Sequence, residues 1–413
     1  MGANDSAYGL ETHYNLTYTT VSLVFLSPIG GYTLAALTNN TLHHRFGRRG
    51  IALLSPGCHL LAYIVNCLHP PYPVLVVSFI FAGLGNGLAD SAWNAWIGDM
   101  QDCNQVLGLL HGWYGLGAVL APLVATSLVT EARVGWWWFY YIMVSILLLM
   151  SISGMGMGMG MVEQVACAFI ELAFCLYAFW DENAAAFKAS QARHMPTPAP
   201  TSTSLEPGAA TQAESETGGI RRALFIPRYA RITWTMAIFL FGYVGVEVAV
   251  GGWTTTFMLR IRGASEFASG MAAMGFWLGI TVGRVVLGFV TPRVGEKVAI
   301  VIYFLFSIAA SLLVWLVPNF YASVVAVSIQ GFFLGPMFPG AVVVATRLLP
   351  KALHVSAIGF AAAFGASGAA VLPFAVGAVA QAKGVKVLQP FVVGLSVAIL
   401  GLWVSLPRIP KRG

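Results

Sequence analysis

Long apolar runs, separated by short polar segments, make up most of the chain. A helix needs roughly 20 apolar residues to cross a bilayer, so a run of that length with few charges is typical of a membrane span. Such runs lie at 16–38, 51–69, 73–97, 105–129, 136–180, 232–258, 269–290, 298–317, 320–346, 353–379 and 385–406. The pattern predicts eleven membrane-spanning elements, and we expect helices.

Two stretches depart from this pattern. Residues 136–180 are too long for one crossing, and removing 144–164, which holds an alternation of Gly and Met, leaves a span of ordinary length. We therefore predict an insertion over 144–164, with a gene-model error as the hypothesis for its origin. Residues 188–220 are polar and lack apolar periodicity, which indicates a disordered linker. The predicted organisation is a membrane bundle over 1–181, a linker over 182–230 and a six-helix bundle over 231–413.

The composition favours a membrane protein. Hydrophobic residues make up 58% of the chain and charged residues 9%, whereas soluble domains carry about 25% charged residues. If the loop at 45–49 lies inside, 16 of the 22 Lys and Arg residues fall on the cytoplasmic side and five outside. The basic balance therefore reflects topology, and no nucleic-acid partner is predicted. The five cysteines lack metal-type spacing, so no metal site is predicted.

A carboxylate lies inside the apolar run at 73–97. Asp90 shares a helical face with Asn86, Trp93 and Asn94. A charge at membrane depth is costly and persists mainly where it lines a polar path or relays protons, so this face is a candidate transport site. The alternative is that Asp90 only holds its helix to a neighbour.

Three further ionisable side chains lie in apolar runs. Glu247 shares a face with Tyr243 and could be a second titrating group or a packing contact. Arg284 lies within two turns of a span end and could snorkel there, which favours a structural or gating role over substrate binding. Glu171 is expected to be an interhelical hydrogen-bond partner.

Several aromatic and amide side chains in the spans have the chemistry of a sugar site, which combines an aromatic platform with hydrogen-bond partners for hydroxyls. The candidates are Trp93, Trp113, Tyr114, Trp253, Trp277 and Gln330. Membrane proteins also use Trp widely. At most half of these residues are therefore expected to face a cavity.

A short signature occurs in both bundles: Arg45-Phe46-Gly47-Arg48-Arg49 and Arg293-Val294-Gly295-Glu296-Lys297. A repeated helix-to-loop signature is typical of a transporter built from repeats. The signature resembles the loop between helices 2 and 3 of the major facilitator superfamily, which reads Gly-x-x-x-Asp-Arg-x-Gly-Arg-Arg/Lys. The matching residues are Arg45, Gly47, Arg48 and Arg49 in the first copy and Gly288, Arg293 and Gly295 in the second. His44 and Pro292 replace the family's Asp.

Within this superfamily the chain is most similar to the fucose:proton symporter branch and its fungal relatives. The similarity lies in Asn4-Asp5, in Ala82-Gly83-Leu84-Gly85 followed by Asp90-Ser91-Ala92-Trp93-Asn94, in Tyr243-Val244-Gly245-Val246-Glu247 with Gly252-Trp253, and in Gly335-Pro336-Met337-Phe338-Pro339. It implies that Asp5 and Asp90 couple protons and contact sugar, with Asn94 beside the substrate. Helix 1 is expected to be largely missing, because Tyr8-Gly9-Leu10 runs directly into polar residues.

Together these features predict an all-α integral membrane protein with the superfamily's two-bundle fold, in which about eleven of twelve helices are present. The expected function is proton-coupled symport of a small polar solute, a sugar or sugar-like compound, by alternating access. The candidates for proton coupling are Asp5, Asp90 and Glu247, and those for substrate binding are Asn86, Trp93, Asn94, Tyr114, Trp253 and Gln330. The alternative is a non-transporting membrane nutrient sensor on the same fold.

No enzyme activity and no cofactor are expected, because the sequence lacks His-x-x-x-x-Asp, Gly-x-Ser-x-Gly and His-Glu-x-x-His arrangements. The expected partners are the solute, protons and the lipid bilayer, and a monomer is expected. The host is predicted to be the plasma membrane or an organelle membrane, with the linker and the C-terminus in the cytoplasm.

Overall fold

The computed structural model describes residues 13–16, 23–130, 166–192 and 219–407. Nearly all of these residues are helical, and the described ranges contain no strand. The main helices are α1 (Leu23–Cys67), α2 (Tyr72–Gly98), α3 (Cys103–Thr130), α4 (Ala166–Phe179), α5 (Ala184–Ala192), α6 (Pro227–Ile261), α7 (Glu266–Val294), α8 (Glu296–Leu316), α9 (Phe320–Leu334), α10 (Met337–Leu348), α11 (His354–Lys383) and α12 (Leu388–Val404). By length and composition, eight helical segments in these ranges can cross a membrane.

Helix α1 contains the first two predicted spans. Its backbone leaves helical geometry at Gly47, where φ is 71° and ψ is −171°. Glycine adopts this positive φ without the clash that a Cβ would cause. A Cβ on Gly47 would also lie 2.5 Å from the Glu182 carbonyl oxygen. The two arms, 23–46 and 48–67, are therefore joined through a single glycine at which the chain bends.

The other predicted spans agree with the helices to within a few residues, with one division. The run 320–346 is split into α9 and α10 at Gly335-Pro336. Pro336 and Pro339 cannot donate backbone hydrogen bonds, so the helical ladder is interrupted there. The described part of the run 136–180 is α4, and both the predicted insertion 144–164 and Asp5 lie outside the described residues.

Part of the range 182–230 is helical, which corrects the prediction of a disordered linker for those residues. Helix α5 occupies Ala184–Ala192, residues 219–225 are helical, and α6 begins at Pro227. Ala is the strongest helix former, and α5 opens with three of them. The Asn183 side chain accepts hydrogen bonds from the backbone N–H groups of Ala185 and Ala186, both 3.0 Å long, and so caps this helix.

Close contacts divide the chain into two compact units. The first consists of Met1–Ala92, Pro122–Arg222 and Lys351–Gly359. In this unit α1 packs against α2, α4 and α5. The backbones of α1 and α2 approach closely, because a Cβ on Gly31 would lie only 2.1 Å from the Ile80 carbonyl oxygen.

The second unit consists of Trp93–Ala121, Ala223–Pro350 and Phe360–Gly413. In this unit α7 packs against α9 and α6, and α12 packs against α6 and α8. Helix α3 approaches α7 through glycines. A Cβ on Gly108 would lie 2.5 Å from the Arg284 carbonyl oxygen, and one on Gly112 would lie 2.7 Å from the Val285 side chain.

Candidate functional site

Asp90 accepts a hydrogen bond from a tyrosine inside the first unit. The Tyr32 hydroxyl of α1 donates a hydrogen bond of 2.9 Å to Asp90 Oδ2 of α2. The contact depends on the close approach of the two helices, since a Cβ on Gly87 would lie 2.7 Å from the Ala35 side chain. A hydroxyl can bond a carboxyl group without neutralising its charge. The candidate coupling residue is therefore held by a neutral partner.

A second polar pair lies in the same unit. His59 Nδ1 of α1 is 3.0 Å from Glu171 Oε2 of α4, which confirms that Glu171 is an interhelical hydrogen-bond partner. The other ring nitrogen of His59 is buried and has no hydrogen-bond partner among the described residues. The ring lies against the backbone at Gly85 of α2. His59 therefore contacts both α2 and α4.

The second unit contains a buried ion pair. Arg284 Nη2 of α7 lies 3.0 Å from Oε1 and 3.3 Å from Oε2 of Glu247 on α6. The two residues are only 3% and 4% exposed, and the Tyr243 hydroxyl also donates to Glu247 Oε2. The suggestion that Arg284 snorkels to the membrane edge is therefore wrong, because its guanidinium turns inward to a carboxylate that balances its charge.

Two backbone carbonyls complete the surroundings of the guanidinium. Arg284 Nε donates to the Gly335 carbonyl oxygen at 3.3 Å, and Nη1 donates to the His111 carbonyl oxygen at 3.2 Å. The Gly335 carbonyl is available because its helical partner four residues later would be Pro339, which has no N–H. The Gly335 to Pro339 segment thus breaks a helix and supplies an acceptor for Arg284.

Asn94 is connected to the Arg284 hydrogen bonds through His111. His111 Nε2 of α3 lies 2.9 Å from Asn94 Oδ1, and both residues are buried. Since the amide oxygen accepts, His111 must carry a hydrogen on Nε2. The resemblance to the fucose:proton symporter branch implied that Asn94 lies beside the substrate. In the structure its side chain is engaged by His111, whose own carbonyl receives Arg284.

The remaining substrate candidates have different environments. Tyr114 is 68% exposed, with its ring centre 5.7 Å from Arg284 Cζ, and Asn86 is also exposed. Trp93 is half-buried. Trp253 donates its ring N–H to the Pro373 carbonyl oxygen at 3.1 Å. Gln330 is fully buried, and neither of its amide atoms has a hydrogen-bond partner among the described residues.

The two loop signatures share one backbone feature. Gly47 and Gly295 both have positive φ, 71° and 91°, which explains why each copy has glycine at this position. In the first copy Arg48 Nη1 pairs with Glu182 Oε2 at 2.9 Å. The Arg293 of the second copy is exposed and donates to the Phe289 carbonyl oxygen at 2.6 Å.

The second copy also has its own carboxylate. Glu296 follows the position where Pro292 replaces the family's Asp, and it pairs with Arg347 at 2.6 Å. Its Oε1 also accepts from the Asn104 amide of α3 at 2.9 Å. A buried acid four residues downstream therefore connects α3 with the loop and with α10.

Sequence reasoning missed Tyr32, His59 and His111. A tyrosine or a histidine alone in an apolar helix is compatible with ordinary packing, so neither stands out. The available signal was the neighbouring glycines, Gly31 and Gly112, which mark where helices approach most closely. Polar side chains next to such positions lie at helix contacts.

Comparison with known proteins gives similarities along the whole chain. The family model described as Major Facilitator Superfamily matches residues 5–296 and 235–413. The Saccharomyces cerevisiae protein named Bypass of stop codon protein 6 is 30% identical, over 99% of this chain and 80% of its own length.

Solved structures give a matching fold. The E. coli fucose:proton symporter superposes with a TM-score of 0.64 at 14% identity, over 97% of this chain and 94% of its own. A proton:xylose symporter bound to 6-bromo-6-deoxy-D-glucose superposes with a TM-score of 0.68 at 14% identity, over 98% and 91%. At this identity the likeness establishes the fold alone.

Proposed function

The chain belongs to the Major Facilitator Superfamily and is an integral, multi-pass membrane protein, and from this premise we propose that it is a secondary active transporter. It carries a small polar solute, a sugar or sugar-like compound, in symport with a proton. The proposal includes alternating access, in which the solute site opens to one side of the membrane at a time. Two sugar:proton symporters share this fold, which makes sugars the first solutes to test.

The observation that carries the proposal is the bond between Asp90 and Tyr32. Ionisable side chains inside membrane helices mark substrate and proton pathways. The Tyr32 hydroxyl can accept as well as donate, so the contact can persist whether Asp90 is charged or protonated. Asp90 can thus bind and release a proton without losing this partner. Asp5 remains the second coupling candidate, on the resemblance alone.

Glu247 has a different role in this proposal. Its carboxylate already faces the Arg284 guanidinium at 3.0 Å, and both side chains are buried. Each side chain therefore balances the charge of the other and depends on it. We therefore propose that Asp90 carries the transported proton and that the Glu247 and Arg284 pair opens and closes during the cycle.

The solute contacts are proposed from chemistry and exposure. Asn86 and Tyr114 are exposed, and Trp93 is half-buried, so these side chains can meet a solute directly. Gln330 holds a donor and an acceptor that no described residue satisfies, and such burial costs about 1–3 kcal/mol. A solute hydroxyl would satisfy both atoms in a conformation that opens this region.

Uptake by purified protein in proteoliposomes tests the proposal. The vesicles are offered a panel of labelled sugars with and without an imposed inward proton gradient. We expect at least one sugar to accumulate above its external concentration only when the gradient is present. Sugar uptake that only equilibrates, and is the same with and without the proton gradient, would exclude symport. Binding without accumulation would instead indicate the sensor.

A further inference from the structure

A cavity of about 470 Å³ lies in the first unit, where the two arms of α1 meet the end of α4 and the start of α5. Its lining includes the polar side chains of Arg45, Arg49 and Asn183 and the apolar side chains of Leu53 and Leu176. The aromatic side chains of Phe46 and Trp180 also contribute to its wall. The cavity is distinct from Asp90 and its partners, none of which line it.

The arginines of this cavity carry charge that no acid in the described chain balances. Arg48, between them in sequence, is buried and paired with Glu182. Neither Arg45 nor Arg49 forms an ion pair with any described residue, and no acidic side chain lines the cavity. Arg49 stacks on Trp180, with Cζ 3.8 Å from the ring centre. This contact holds the guanidinium in place while its N–H groups stay available.

The lining changes from cationic to apolar along the helices. Arg49 and Leu53 are four residues apart on the second arm of α1, so they share one face of that helix, and Arg45 comes from the first arm across the bend at Gly47. A step of four residues advances about 6 Å along a helix. Leu176 of α4 lies four residues before Trp180, which directly follows the end of that helix. Leu53, Phe46 and Trp180 are each about half exposed, so the apolar part is open to an apolar occupant.

We propose that this cavity binds an anionic phospholipid. Two guanidinium groups match a phosphate that carries net negative charge, because Arg bonds phosphate oxygens through its planar fork. The acyl chains would lie against Leu53 and Leu176, which a free phosphate would leave uncovered. On the orientation predicted from the distribution of Lys and Arg, the site faces the cytoplasmic leaflet, where anionic lipids are concentrated.

Native mass spectrometry of the purified full chain tests the site, with phosphatidylserine and phosphatidylcholine of the same acyl chains as probes. Each arginine near an anionic lipid surface contributes about 1 kcal/mol, which corresponds to about fivefold in affinity. We therefore expect Arg45→Gln and Arg49→Gln each to weaken phosphatidylserine retention about fivefold. The matched control is Arg293→Gln, at the same position of the second signature, which should leave retention unchanged.

Competition with inorganic phosphate, measured on the wild-type chain, distinguishes a lipid phosphate from a free phosphate as the occupant of the cavity. If inorganic phosphate at millimolar concentration displaces phosphatidylserine, the site is an anion site and the lipid proposal is wrong. Leu53→Asn should weaken phosphatidylserine binding and leave phosphate binding unaffected. Equal retention of phosphatidylcholine, or equal losses in Arg293→Gln, would also overturn the proposal.

Discussion

Arg284 and Glu247 form an ion pair at 3.0 Å inside the second unit, although 36 residues separate them in the chain. Both charges are buried, so each depends on the other. Replacing both members of such a pair by neutral groups can be nearly neutral, whereas removing one leaves an uncompensated charge. This asymmetry gives the pair a measurable signature.

Arg284→Gln should destabilise the protein by about 3–5 kcal/mol, because Glu247 would lose its partner in a buried site. Glu247→Gln should have a similar effect. The double variant should recover part of that loss, since no charge is left without a partner. Thermal unfolding of the purified protein measures all three, and simple additivity of the single effects would contradict the pair's coupling.

Asp90→Asn should abolish concentrative uptake while the protein stays folded. The amide keeps the shape and the contact with Tyr32 but cannot titrate. We expect pH-driven accumulation in proteoliposomes to fall at least tenfold. Asp99→Asn is the control, because Asp99 is an exposed acid just beyond the end of the same helix. Normal accumulation by Asp90→Asn would exclude the proposed proton carrier.

Gly47→Ala should destabilise the protein by more than about 1–2 kcal/mol, the cost of a left-handed conformation for a residue with a Cβ. The new Cβ would also clash with the backbone of Glu182 and Asn183. Gly57→Ala is the control in the same helix, where no atom lies within 4 Å of an added Cβ. It should stabilise by up to about 1 kcal/mol. Equal effects of the two changes would show that φ at Gly47 is unimportant.

The segment before α6 contains a polar stretch that we expect to be dispensable and a group of arginines that we expect to be required. Deleting 195–217 should leave transport nearly intact, because these residues carry few apolar side chains. Changing the four arginines at 221, 222, 228 and 231 to Gln should reduce correct insertion, since all four are exposed next to one membrane helix.

Protease added to either side of sealed vesicles checks the topology that underlies this prediction. Cleavage within 195–217 is expected only from the cytoplasmic side. Protection from that side, with cleavage from the other, would reverse the proposed orientation.

A segment that spans the lipid must form its backbone hydrogen bonds internally, and a long apolar run does this only as a helix. The helices could therefore be predicted from the sequence. The sequence also identified Asp90, Glu247 and Arg284, since a charge in an apolar run is conspicuous. It could not pair Glu247 with Arg284, because that contact depends on how α6 and α7 pack. The same limit applies to Gln330, whose lack of partners depends on its neighbours in space.

The glycines at which α3 meets α7 determine how these two helices can move. Gly108, Gly112 and Gly115 present no side chain that could lodge between residues of the opposite helix. The side chains of Thr281 and Val285 on α7 lie against these glycines, and Arg284 reaches across to the His111 carbonyl oxygen, so separating the two helices removes close packing and one hydrogen bond together. Dispersion between backbones weakens within about an ångström of separation. The contact is therefore expected to be either intact or broken, because a small separation already removes most of its energy.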